Sequence, residues 1–328
     1  MKEGSIPDHV ALSSVEVCAG AGGQALGLER AGFHHLALCE IDARARETLR
    51  LNRPGWNVLE GEAADIKTFS AKPYRGVDLL AGGLPCPPFS VAGKQLGAND
   101  ERNLFPDFLR LVDEAQPKAV LIENVRGFLD SAFAEFRDKL VQDFDALGYA
   151  VQWRLLQASD HGVSQLRPRV AIVALPKASA GLFAWPAPTD TPPPTVGQLL
   201  EKAMGAGGWP GAKAWAKQAD KIAPTIVGGS HKHGGPDLGP TRARRAWAEL
   251  GVNGKSLADA PPDPDFADMP RLTVPMVARL QGFPPDWRFA GRKTPAYRQV
   301  GNAFPPPVAE ALGRAIAKVL TATHAAAE

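Results

Sequence analysis

Cysteine is scarce in these 328 residues, where Cys18, Cys39 and Cys86 are all there are. A count this low and odd builds no disulfide framework, which points to a reducing compartment. No CxxC or CxxH pair occurs, so no structural zinc site is expected and no metal is assigned. No apolar run approaches the roughly 20 residues that span a bilayer, so no membrane is expected as a partner. The opening MKEGSIPDHVALSSVEV lacks the long apolar core of a signal peptide, and the expected location is the cytoplasm. Charge of a single sign is missing too, with Lys+Arg at 37 and Asp+Glu at 35. The charge is unevenly spread, however. Residues 1–186 hold 20 basic and 23 acidic side chains, and residues 187–328 hold 17 and 12. A basic second half suits contact with a polyanion. Hydrophobic residues at 45 % and charged ones at 22 % exclude a disordered tail, a collagen-like fibre and a coiled coil.

Up to about residue 175 the chain alternates short apolar runs with helical patterns. Strands are expected at Ser14–Cys18, His35–Cys39, Val77–Leu80, Ala119–Ile122 and Val170–Leu175. Helices are expected through Ala25–Ala31, Ala43–Asn52, Phe105–Ala115 and Ala132–Leu147. This alternation predicts an α/β fold, a parallel sheet with helices on both faces. Ligands of such sheets bind at the carboxyl ends of the strands. After Trp185 the style changes. WPAPTDTPPPTVG reads as a linker, and residues 186–270 are loop-heavy, with one convincing helix at Arg242–Leu250. A helix to Leu280 and another over Pro307–Thr323 follow. The expected division is therefore 1–185, a smaller irregular unit 186–270, and a C-terminal segment 271–328.

Three motifs lie where those strands end, and a fourth just before the last of them. Glu16-Val17-Cys18-Ala19-Gly20-Ala21-Gly22-Gly23 is a strand running into a glycine turn and a helix, where a ligand can approach the backbone. Glu40 ends the next strand and suits the two hydroxyls of a ribose. Asp65 could accept a hydrogen bond from an adenine amino group. Together these describe a cofactor containing adenosine. Gly82-Gly83-Leu84-Pro85-Cys86-Pro87-Pro88-Phe89-Ser90 holds a cysteine between prolines at a strand end, a candidate nucleophile. The polar, glycine-hinged stretch Ala92–Asp100 beyond it has the make-up of a lid. Glu123-Asn124-Val125 places a carboxylate after a buried strand, where burial can raise its pKa and let it serve as a proton donor. Gln165-Leu166-Arg167-Pro168-Arg169 puts two arginines on one face of an extended segment, suited to a phosphate or a base carbonyl.

As a set, these motifs resemble the cytosine-5 DNA methyltransferases of bacterial type. The resemblance covers nearly the whole chain in the family's order, with RLTVPMVARLQGFP and YRQVGNAFPPPVA matching its two C-terminal motifs. Four departures stand out: Cys18 where the family usually has Phe, Pro87 where Gln commonly follows the nucleophile, Pro275-Met276 where a Glu is common, and Phe304 where an aliphatic residue follows GNA. None removes a group that performs chemistry.

The resemblance implies a Rossmann-like sheet that binds S-adenosylmethionine, with residues 186–270 as a target-recognition domain. Its implied cofactor contacts are Cys18, Ala19, Gly20, Gly22, Gly23, Glu40, Ile41, Asp65, Ile66, Gly83, Pro85, Asn302 and Ala303. Its catalytic group is Cys86, Glu123, Arg167 and Arg169. The implied reaction is covalent: the Cys86 thiolate adds to carbon 6 of a cytosine flipped out of double-stranded DNA, Glu123 serves ring nitrogen 3, and Arg169 the carbonyl at carbon 2, with Arg167 nearby. Ser90, Lys94, Gln95, Gln165, His231, Lys232, His233, Arg242, Arg244 and Arg245 are the expected DNA contacts. A cognate restriction endonuclease is an implied partner, the enzyme is expected to be a monomer, and DNA would draw it to the nucleoid. Three other readings remain open: a tRNA cytosine methyltransferase of the same fold, a nicotinamide oxidoreductase suggested by the glycine turn, and an inactive DNA-binding regulator. An insertion of 85 residues favours DNA over tRNA.

Overall fold

The structure is a computed structural model and describes residues 12–85, 103–229 and 235–325. Its strands are β1 (Leu12–Val17), β2 (Phe33–Cys39), β3 (Leu79–Gly83), β4 (Ala119–Asn124), β5 (Tyr149–Gln157) and β6 (Pro168–Pro176). Its helices are α1 (Gly23–Arg30), α2 (Ala43–Asn52), α3 (Phe105–Ala115), α4 (Ala134–Ala146), α5 (Val196–Met204), α6 (Ala212–Gln218), α7 (Thr241–Glu249), α8 (Val274–Leu280), α9 (Lys293–Asn302) and α10 (Pro306–Ala325). Among the described residues no helix is long and apolar enough to cross a membrane.

The strands form one sheet in the order β2-β1-β3-β4-β6-β5. β1 to β4 are parallel, as the alternation predicts. The expectation of a wholly parallel sheet is corrected at one edge, where β6 runs antiparallel to both β4 and β5. The link 158–167 is the reason. It turns back at Gly162 (φ 80°) and is too short for the crossover that a parallel connection needs. β5 itself was not anticipated, because its side chains are mostly half-exposed and show no apolar run.

Period-two alternation divides the sheet into two apolar faces. Val15, Val17, Leu80, Val120, Ile122, Val170 and Ile172 face one layer, made of α3 and α4 through Phe108, Leu111, Leu140 and Phe144. Leu79, Ala81, Ala119, Leu121, Ala171 and Val173 face the other, with Leu28 of α1 and Val308, Leu312 and Ile316 of α10. Glu16, Gly83, Glu123 and Arg169 continue this second set of alternate positions toward the strand ends. The parity of the strands thus brings the sequence motifs to one side of the sheet.

A further core joins α5, α6 and α7 to α8 and α9, with Leu26 of α1 at its edge. Residue 270 is therefore not a boundary between cores, since α8 and α9 belong with the preceding helices and only α10 returns to the sheet. Among its described residues, region 186–270 holds three α-helices instead of the single one expected. The first, α5, starts at a capping box: Thr195 Oγ1 accepts from Gln198 N, and Gln198 Oε1 accepts from Thr195 N. That T-x-x-Q signal stands directly behind the proline run. The second, α6, is short and follows a glycine-rich turn, which hides its periodicity.

The contact between α1 and α10 closes the molecule. A Cβ on Gly27 would lie 2.4 Å from the Pro306 carbonyl oxygen and 2.7 Å from Glu310 N. Backbone atoms cannot yield cheaply, so only glycine permits this approach. Gly27→Ala is expected to destabilise the protein by about 1–3 kcal/mol, the usual cost of overpacking. Urea unfolding measures it, and an unchanged midpoint would contradict the tight contact.

Candidate active site

The glycine turn after β1 is shaped by three close approaches. Gly22 has φ 84°, and a Cβ there would meet Leu49 Cδ2 at 2.7 Å; on Gly23 it would meet the Phe304 carbonyl oxygen at 2.2 Å and Ala303 Cβ at 3.2 Å. Gly20 differs. Its φ is 55° and nothing lies within 4 Å of the added atom, so the turn presents open backbone there. Cys18 also has positive φ, 53°, a conformation that side-chain-bearing residues adopt only under constraint. The turn is tied to the end of β2: Ala19 N donates to Cys39 O, and Gly20 N donates to Glu40 Oε2 at 2.7 Å.

Acids converge around this turn. Glu40 is buried, and its second oxygen accepts from Asp42 N at 2.7 Å. Burial still pushes its pKa up, against these two hydrogen bonds. Glu16 is 1 % exposed, its Oε2 has no hydrogen-bond partner, and burial and the neighbouring Glu40 push its pKa well up. The Cys18 thiol is raised by burial and by Glu40, Cys39, Asp65 and Glu16. Asp65 Oδ1 accepts from Lys67 N, and Ile66 beside it is buried. Ile41, next to Glu40, is 68 % exposed, an unusual position for an isoleucine at a strand end. Open glycine backbone, an unpartnered buried carboxylate, a carboxylate at the end of β2 and an uncovered aliphatic side chain fit a ligand that is cationic at one end and a flat nucleoside at the other. These residues suit S-adenosylmethionine.

Glu123 closes β4 at the same edge of the sheet. It is 6 % exposed and pairs with Arg169 Nε at 2.7 Å across the antiparallel β4–β6 ladder. Burial raises its pKa; the guanidinium groups of Arg169 and Arg167 and the Arg169 hydrogen bond oppose that without cancelling it. Gly83 is paired in register with Glu123, and a Cβ there would lie 3.5 Å from Cys18 O and 3.9 Å from Glu123 Oε2. The cofactor turn, the acid and the strand leading to Leu84, Pro85 and Cys86 therefore meet at Gly83. Pro85 is exposed. Cys86, Ser90, Lys94, Gln95 and the proposed lid Ala92–Asp100 lie outside the described residues, as do His231, Lys232 and His233.

Two expected roles in QLRPR are corrected. Gln165, expected at DNA, is fully buried: its Oε1 accepts from Ile226 N at 2.8 Å, and its Nε2 donates to Gln281 Oε1 at 2.5 Å. Arg167, expected beside the base, is also fully buried, and its guanidinium donates to the carbonyls of Ile226 (2.6 Å), Gly301 (2.7 Å) and Ala303 (3.1 Å). A glutamine and an arginine placed at the junction of two cores are drawn inward by backbone carbonyls that need donors. Asn302 is exposed, and its Nδ2 donates to Gly229 O at 3.2 Å, toward residues 223–229. Of the three arginines of α7, Arg242 and Arg245 are exposed and line one groove with Thr241 and Glu249, whereas the stem of Arg244 packs over Gly254. The sequence reading passed over Glu16 and Gln281. The signal for Glu16 was a lone charge between two valines of a strand.

Comparison with known proteins identifies the family. The family model for C-5 cytosine-specific DNA methylases matches residues 12–318. The chain is 55 % identical over 312 residues to the type II methyltransferase M.NaeI of Lentzea aerocolonigenes, covering 94 % of this chain and 75 % of that one. It is 53 % identical over 316 residues to the type II methyltransferase M.NgoMIV of Neisseria gonorrhoeae, covering 94 % and 98 %. In fold it matches the solved S. pombe Dnmt2 methyltransferase with a TM-score of 0.61 at 19 % identity, over 95 % of this chain and 99 % of that one. The chain belongs to the C-5 cytosine-specific DNA methylases and is a DNA cytosine-5 methyltransferase.

The Glu123–Arg169 pair is directly testable. Arg169 favours the ionised form of Glu123, so removing it leaves burial unopposed by its nearest cation. In Arg169→Met the Glu123 carboxyl is expected to titrate at higher pH than in the wild type, as followed by carboxyl ¹³C NMR. A titration that stays in place or moves down would show that the pair does not govern this acid.

Proposed function

We propose that this enzyme methylates carbon 5 of one cytosine within a fixed sequence of double-stranded DNA, through a covalent Cys86 adduct on a base flipped out of the helix. The observation that supports this reading best is the meeting at Gly83 of three elements: the strand that leads into Cys86, the buried acid Glu123, and the cofactor turn at Cys18. S-adenosylmethionine, when bound, supplies an electrophilic methyl group. Gly20, Glu40, Asp65 and Ile41 would hold its nucleoside portion and the turn around it, and Glu16 would face its cationic portion.

The residues of the chain then divide the work. Carbon 5 of cytosine is a weak nucleophile until a thiolate adds to carbon 6. Cys86 makes that bond, and Glu123, whose pKa burial pushes up, gives its proton to ring nitrogen 3 as charge develops there. Arg169, already beside Glu123, holds the carbonyl at carbon 2. After methyl transfer a water removes the carbon 5 proton, Glu123 recovers its proton from nitrogen 3, the double bond between carbons 5 and 6 reforms, and Cys86 leaves as thiolate. Extracting the base costs a few kcal/mol, which contacts to the opened duplex must offset. Arg242 and Arg245 and the residues His231–His233 are candidates for those contacts. Because the relatives named above are type II methyltransferases, we assign the enzyme the protection of its host's DNA from a partner endonuclease.

The test is bisulfite sequencing of DNA from cells carrying the wild type and cells carrying Cys86→Ala. One short motif is expected to be protected in the first and unprotected in the second. Retained protection in Cys86→Ala would refute the covalent mechanism. DNA affinity is expected to fall steeply between 50 and 200 mM salt, by roughly 10³-fold or more if six phosphates are neutralised.

A further inference from the structure

The carbonyls that hold Arg167 belong to two separate segments. One is residues 223–229, which lead toward His231, and the other is the stretch 301–303 at the end of α9. Residues 223–229 form a strap laid along 164–167. Ala223 N donates to Ser164 O at 2.9 Å, Leu166 N donates to Ala223 O at 2.8 Å, and Thr225 Oγ1 donates to Leu166 O. Gln165 bonds Ile226 N on the strap and Gln281 on α8's C-terminal side, and Gln281 Nε2 in turn donates to Ala303 O at 2.6 Å. Gly228 completes the clamp, since a Cβ there would lie 2.6 Å from Arg298 O. Gln165, Arg167 and Gln281 are all fully buried. Only Pro168, with its fixed φ, separates Arg167 from Arg169.

We propose that Arg167 is a positioning residue: by binding Ile226 on the strap and Gly301 and Ala303 beside it, it sets Arg169 against Glu123 only when the strap is seated. The inference rests on the proposed role of Arg169 at the cytosine and of the strap as the stem of a DNA-contacting loop. A guanidinium suits the task because its planar fork reaches several carbonyls at once, which a lysine ammonium on a flexible stem does not reproduce. A rigid dipeptide then carries any shift of the strap into the strand that bears Arg169. In this arrangement the enzyme's selectivity has a part inside the protein. A strap displaced by a wrong sequence misplaces the catalytic pair without any change in the cofactor site.

The experiment is a double-mutant cycle on Arg167→Lys and Arg169→Lys. Genomic DNA from a host lacking the enzyme serves as acceptor and tritium-labelled S-adenosylmethionine as donor. Arg167→Lys is expected to bind S-adenosylhomocysteine, and to show a KM for DNA, within threefold of the wild type, while kcat falls ten- to a hundredfold. In the Arg169→Lys background the same change is expected to lower kcat by less than threefold, because the residue it acts through is already lost. Factors that multiply, an unchanged kcat, or cofactor affinity falling in step with kcat would overturn the proposal. If Arg167→Lys shows no cooperative melt, Thr225→Val replaces it in the cycle. It removes one hydroxyl from the strap and is expected to lower kcat threefold or more alone, and not at all beside Arg169→Lys. Multiplying factors or no effect there would again overturn the proposal. Failure of the underlying reading is separate and visible: Arg169→Lys would retain wild-type kcat, and both ideas would fall together.

Discussion

A carboxylate buried at the end of a strand needs a cation, and much of this molecule serves that need. Glu123 is the penultimate residue of a strand whose every residue is buried. Its partner, Arg169, comes from a strand running the opposite way, so that the start of one strand lies beside the end of the other. A parallel neighbour would have put its own carboxyl end there instead. The reversal of β6 is thus the structural condition for holding a high-pKa acid and a guanidinium together at the edge where ligands bind. Burial outweighs the guanidinium, so the pKa of the acid stays above the ordinary carboxylate value.

The segment before Arg169 shows how closely the two cores are joined. Gln165 and Arg167 sit four and two residues from it, yet neither faces solvent. They satisfy backbone groups of a strap and of a helix end that would otherwise be buried without donors or acceptors. Leaving such groups unpaired costs about 1–3 kcal/mol each. The same two side chains therefore stabilise the junction and fix the geometry of the arginine that follows.

Most of the sheet and the identity of the motifs were legible in the sequence, because buried strands leave apolar runs and α2 and α3 carry clean amphipathic patterns. β2, α2 and α3 lie where the pattern put them. The direction of β6 was not legible, since an apolar run has no sign; only the shortness of the link 158–167 and Gly162 hinted at it. The burial of Gln165 and Arg167 was not legible either. Alternate arginines in an extended segment share a face, but spacing does not say whether that face meets a ligand or a neighbouring core. Glu16, by contrast, was visible as an isolated charge between Val15 and Val17, and its meaning appeared only once its oxygen was found without a partner.

The closure of α10 over α1 has a consequence for synthesis. Gly23 and Gly27 leave the ribosome long before the segments that pack on them, Ala303–Phe304 on the first and the start of α10 at Pro306 on the second. At ordinary rates of elongation the two are separated by roughly 15–60 s. During that interval the cofactor turn has one wall missing and the apolar side of α1 uncovered. A nascent chain therefore cannot become an active enzyme by stages. Activity arrives once, when the distant helix docks, and a cell that depends on this methylation must wait for whole molecules.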